Sequence, residues 1–177
     1  MTIRQTIVVL FIGWTFGDCN SPNEFLSKKF FEYDEIDYYL SDSYMGSESQ
    51  KLLNNWPTSE IDTLKYGVFL GGIPKNISDL SFIGKLSEIG FRKDTIDKKK
   101  FTEIDKFFVE KEVKEHLATS CIYIYRDILV FKKNSKVTGV AKICFSCMAH
   151  EIIGTNANTD NFGQDGDYEK LENLLKK

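Results

Sequence analysis

The sequence predicts an α+β domain: a small antiparallel sheet with a C-terminal β-hairpin, packed against two to three helices. Three observations predict it. Two stretches rich in β-branched and aromatic residues, "CIYIYRDILVFKK" and "KVTGVAKICFSC", flank a polar "KNSK" turn. Two upstream stretches carry apolar residues at helical spacing between a cap and a stop. The composition, 42% hydrophobic and 14% aromatic over 177 residues, is that of a folded chain with a real core.

The elements follow in order. "NEFLSKKFFEYDEIDYYL" (23–40) reads as one helix, within a polar segment that ends at the Trp56-Pro57 turn. "TLKYGVFLGG" (63–72) reads as a strand ended by glycines and Pro74. "SDLSFIGKLSEIG" (78–90) reads as a helix capped by Ser78 or Asp79 and stopped by Gly90. Its apolar face is Leu80, Phe82, Ile83, Leu86 and Ile89. A second helix is predicted over 97–108, capped by Asp97, with Phe101, Ile104, Phe107 and Phe108 inward.

The hairpin strands span 121–133 and 137–147, with Asn134-Ser135 at the tip. A two-residue loop sets Ile124 against Phe145, Ile128 against Ala141, and Asp127 against Lys142 as an opposite-charge cross-strand pair. The tail "GDYEKLENLLKK" reads as a closing helix capped by Asp165 or Asp167.

Charge excludes one class of partner. The net charge is −3 and the basic residues are dispersed, which leaves no footprint for nucleic acid.

The first residues speak to location. Arg4 precedes an apolar run over 7–16, shorter than the ~20 residues that span a bilayer and of signal-peptide length. The "FGDC" that follows resembles the lipobox of bacterial lipoproteins, with Phe16 and Asp18 where that motif has Leu and a small residue. The resemblance implies lipidation of Cys19. Cleavage without lipidation, and a buried strand at 6–11 of a cytoplasmic domain, are the other readings. The expected organisation is a signal peptide at 1–18, a lipid-anchored tether and N-terminal segment at 19–60, and a single α+β domain at 61–177.

The hairpin, with Cys121, Tyr125-Arg126-Asp127 and the closing Ile143-Cys144-Phe145-Ser146-Cys147, resembles small uncharacterised Bacteroidetes-type envelope proteins and predicted lipoproteins. It covers about a sixth of the chain. It implies the hairpin and a place in the cell envelope, periplasm or outer membrane, and carries over no catalytic residue.

The chain has four cysteines. With Cys19 acylated, Cys121, Cys144 and Cys147 gather at one end of the sheet, with His150 beyond. One disulfide among the three is the simplest reading in an oxidising compartment. Buried thiols are the second. A Cys121/Cys144/Cys147/His150 zinc site is the third, and within a regular strand positions 144 and 147 point apart, so a bridge or a chelate requires a turn there. A thioredoxin-like pair lacks its βαβ setting. "HEIIG" lacks the second histidine of a zinc protease, and Tyr125-Arg126-Asp127 lacks the rest of a kinase. "NFGQDGDYEKLE" misses two ligands of a calcium loop.

No nucleophile–base pair stands at a diagnostic spacing. The expected function is a non-enzymatic binding or structural module of the envelope, held to the membrane by its anchor and able to meet an envelope protein partner. The alternative is a thiol or zinc protein working through the Cys/His cluster.

Overall fold

The computed structural model describes residues 27–44, 49–113, 116, 117 and 119–176. The expected signal peptide and Cys19 lie outside the described residues. The fold is α+β. Its centre is a five-stranded antiparallel sheet in the order β2-β1-β3-β4-β5. The strands are β1 (Glu35–Leu40), β2 (Arg92–Thr95), β3 (Asp127–Lys133), β4 (Lys136–Cys144) and β5 (Ala149–Ile153). The helices are α1 (Ser49–Asn54), α2 (Glu60–Leu70), α3 (Phe101–Asp105) and α4 (Asp167–Leu175).

Both sheet faces are covered. One carries Ile36, Tyr38, Leu129, Phe131, Ala141 and Ile143 against α3, α4, Phe30 and Phe31. The other carries Tyr39, Ile128, Val130 and Val140 against Leu52 of α1, Val68 and Phe69 of α2, and Phe82, Leu86 and Ile89. A strand buried on both sides has no polar face, so β3 reads as a continuous apolar run.

Several expectations are corrected. The segment 23–40 is not one helix: Glu35–Leu40 is an inner strand, paired with both β2 and β3. Its alternation sends Ile36 and Tyr38 to one core and Tyr39 to the other. The 19–60 segment therefore belongs in part to the folded unit. Phe31 shows how closely: a Cβ at Gly139 of β4 would land on its ring.

The stretch 63–72 is not a strand but most of α2. Its β-rich letters lose to a start signal one turn upstream. The Ser59 side chain accepts the Asp62 amide and donates to Asp62 Oδ2 at 2.7 Å, and Glu60 and Asp62 sit in the first turn. The stretch 78–90 forms a 3₁₀ turn (Ser81–Lys85) and further turns instead of a regular helix, although Phe82, Leu86 and Ile89 are buried and Gly90 has φ 99°. The helix over 97–108 begins where expected, with the Asp97 side chain accepting the Lys99 amide, but its α-helical part is Phe101–Asp105.

The hairpin register is corrected as well. Asn134 and Ser135 do form the tip, both with positive φ, and Lys133 pairs with Lys136. A bulge between Phe131 and Lys132 then shifts the pairing by one residue. Ile128 lies opposite Lys142 and Asp127 opposite Ile143, so the Asp127–Lys142 pair does not exist. The strands are also shorter than read, since 121–126 lies outside β3 and 145–147 is a 3₁₀ turn. The closing helix forms with Tyr168, Leu171 and Leu175 buried, and its cap is Gly166 in place of Asp165 or Asp167.

Candidate functional site

The "CFSC" stretch is the turn between β4 and β5. Cys144 ends β4, Phe145–Cys147 forms a 3₁₀ turn, and Met148 in the left-handed region (φ 49°) reverses the chain. The turn brings Cys147 to Cys121 at disulfide distance, with the Cα atoms 6.0 Å apart. The Thr119 hydroxyl donates to the Cys147 carbonyl and ties down the same loop. Cys144 stays a free, buried thiol, packed with Tyr125, Cys147 and Ala149.

His150 does not join them. Across β4 and β5, Cys144 pairs with Ala149 and Ile143 pairs with His150. Adjacent strand positions point to opposite faces, so His150 leaves the cysteine side. It enters the α4 side, where Nδ1 lies 2.7 Å from the Tyr168 hydroxyl and the ring packs 5.0 Å from Phe162. Burial pushes its pKa down, while a backbone hydrogen bond at Thr159 and the Asp160 charge pull it back. The four-residue zinc set is thus split between two sheet faces and a bridged cysteine pair. Among the described residues, no group of three His, Cys, Asp or Glu side chains is placed to hold a metal.

Three buried charges carry the electrostatics, Asp37, Asp127 and Lys142, and the sequence reading sets the last two against each other. Lys142 is fully buried on the α2 face. Its ammonium donates to the carbonyls of Val68 (3.2 Å) and Ile73 (2.7 Å) and pairs with Glu151 Oε2 at 2.7 Å. It also lies 4.8 Å from the centre of the Tyr125 ring. Three acceptors match the three donors of an ammonium. Burial lowers its pKa and the Glu151 charge raises it again. The arrangement clamps α2 and the loop after it to the sheet. Gly71, with φ 98°, runs beside the clamp, where an added Cβ would stand 3.3 Å from Glu151 Oε2. The available signal was a lysine inside the apolar run "GVAKICF".

Asp37 pairs with Lys132 and, at 2.9 Å, with Lys93, and among the described residues Asp127 has no such ion pair. Asp127 accepts the Tyr38 hydroxyl, which reaches it from the neighbouring strand. Burial raises its pKa, against the hydrogen bond from Tyr38 and the Lys176 charge. Asp127 borders a recess of about 230 Å³ with Ser41, Arg126, Ser146, Glu172 and Lys176. Arg126 is held there by the Ser146 hydroxyl at 3.2 Å and the Tyr44 carbonyl at 3.4 Å.

No family model matches the chain, and no curated protein or solved structure is significantly similar to it.

Proposed function

We propose that the chain is an exported, lipid-anchored cell-envelope protein that acts as a non-enzymatic binding or structural module. The observation that carries the proposal is the pairing of Cys121 with Cys147 at bridging distance while Cys144 is buried. A cross-link of this kind is characteristic of oxidising compartments, and residues 1–18 read as the leader that takes the chain there. The buried ionisable groups support a module without chemistry of its own. Lys142, Asp127 and His150 are each spent on internal partners.

In this reading Cys19 carries the lipid, the membrane is the first partner, and an envelope protein is the second. The dispersed basic residues and the net charge of −3 support partners other than nucleic acid. The thiol or zinc reading has less support, because His150 faces away from Cys144.

Cell fractionation tests the proposal. The wild-type chain should partition with membranes, and Cys19→Ala should release it. A Cys19→Ala chain that stays on the membrane, or a wild-type chain in the cytoplasm with residues 1–18 intact, defeats it.

A further inference from the structure

We infer that the recess between α1 and α2 is a saccharide-binding site, with Trp56 as its stacking platform. Trp56 is 79% exposed, at the turn that joins the two helices. Its ring stands 6.1 Å from that of Tyr66, and both border a recess of about 490 Å³, a volume within the range of small-ligand pockets. Tyr44 also lines the recess, and its ring packs edge-on against Phe69 at 5.1 Å. An exposed indole with two tyrosines around one hollow is a grouping, not a single stray aromatic.

The polar lining selects the ligand class. Asn54, Asn55, Thr58, Asp62 and two lysines share the lining with the aromatic rings. Gln50 Nε2 donates to Asn54 Oδ1 at 3.1 Å, which orients that amide and leaves its NH₂ as a donor. The Ser59 and Thr58 hydroxyls both bond Asp62 Oδ2, and the Ser59 bond chiefly holds this carboxyl below its usual pKa. Asp62 is therefore an ionised acceptor whose Oδ1 lies outside that pair.

A pyranose ring offers a flat C–H face for an aromatic ring and vicinal hydroxyls for planar amides and carboxylates. The recess presents both kinds of partner side by side. Two other ligand classes fit less well. A phosphorylated ligand would meet Lys51 and Lys65, but Lys65 is engaged 5.2 Å from the centre of the Tyr44 ring and the Asp62 carboxylate in the same lining repels a phosphate. An apolar peptide needs aliphatic walls, and among the described residues Leu52 is the one aliphatic side chain in the lining.

The inference rests on the binding-module reading and gives it a ligand class. Its test does not depend on export. The chain has two tryptophans, Trp14 and Trp56, so Trp14→Phe leaves Trp56 as the sole indole reporter in the full chain. This protein is titrated with trisaccharides of glucose, mannose, galactose and N-acetylglucosamine, and Trp56 emission is followed. At least one should give a saturable shift. By calorimetry, Trp56→Ala and Asn54→Ala should each weaken that binding, the former by about tenfold or more, the scale of losing an aromatic anchor. Circular dichroism of both variants should match the parent, since these side chains are exposed. No saturable response to any of the four sugars overturns the assignment. So does an affinity unchanged in Trp56→Ala. A response to an aromatic tripeptide with none to the sugars assigns the platform to a protein partner and also overturns it. None of these outcomes touches the fractionation result, which reads the anchor alone.

Discussion

Lys142 and Glu151 stand opposite each other on β4 and β5 and form a 2.7 Å ion pair whose ammonium side is 1% exposed. Removing either partner leaves a different problem. Without the carboxylate, a desolvated ammonium keeps only two neutral carbonyls. Without the lysine, Glu151 can still reach water, because its side chain is 26% exposed. Glu151→Ala should therefore cost about 3 kcal/mol, the low end for breaking a buried pair, and Lys142→Met less than half of that. Urea denaturation of the two variants checks the order. Equal losses would mean that the carbonyls, not the carboxylate, hold the ammonium.

His150 should make stability fall in mild acid. Its folded pKa lies below the ordinary 6.5 because burial penalises the charged ring. The unfolded chain then binds more protons than the folded one. Stability is lost as pH falls from about 6.5 through the depressed folded value. His150→Gln should flatten that part of the profile. A variant with the same slope as wild type would place the proton elsewhere.

Asp127 should act with the opposite sign. Its folded pKa is raised above the ordinary 3.8, chiefly by burial. The folded chain binds the extra proton, so this contribution is greatest at low pH and is lost as pH rises through the raised value. Asp127→Asn keeps an acceptor for the Tyr38 hydroxyl and removes the penalty. The variant should be more stable than wild type at neutral pH, by thermal melting, and equal to it or weaker near pH 3.5, about where an ordinary aspartate protonates.

Gly139→Val should unfold the sheet's α4 face. Gly139 has an ordinary backbone, so the cost is steric: the Phe31 ring occupies the place of a side chain. Displacing it should cost about 2–3 kcal/mol, the scale of overpacking a core. Pairing Gly139→Val with Phe31→Ala should recover part of the loss by making room. A harmless Gly139→Val would show that Phe31 does not pack there.

Those contacts also show what the sequence could and could not say. The hairpin was legible because Asn134-Ser135 marks its tip, and the closing helix because Tyr168, Leu171 and Leu175 keep helical spacing. The register was not, since one bulge residue after Phe131 moves every later pair and leaves no mark in composition. Lys142 was misassigned for the same reason. The helical state of Tyr66 to Leu70 is set by the Ser59 cap upstream and by burial of Val68 and Phe69, against local β preference. At the candidate site, the gathering of Cys121 and Cys147 was legible and the departure of His150 was not. Which face a residue takes after a turn depends on Met148 adopting a left-handed conformation.

The central claim is that this is an exported protein, anchored at Cys19 and cross-linked between Cys121 and Cys147. Intact mass spectrometry of the chain purified from its own cells, unfolded and alkylated without reduction, tests it most directly. The account predicts a chain that begins at Cys19, carries the mass of an attached lipid, is lighter by two hydrogen atoms, and takes up one alkyl group, on Cys144. A chain that begins at Met1 and takes up an alkyl group on each of its four cysteines would contradict it.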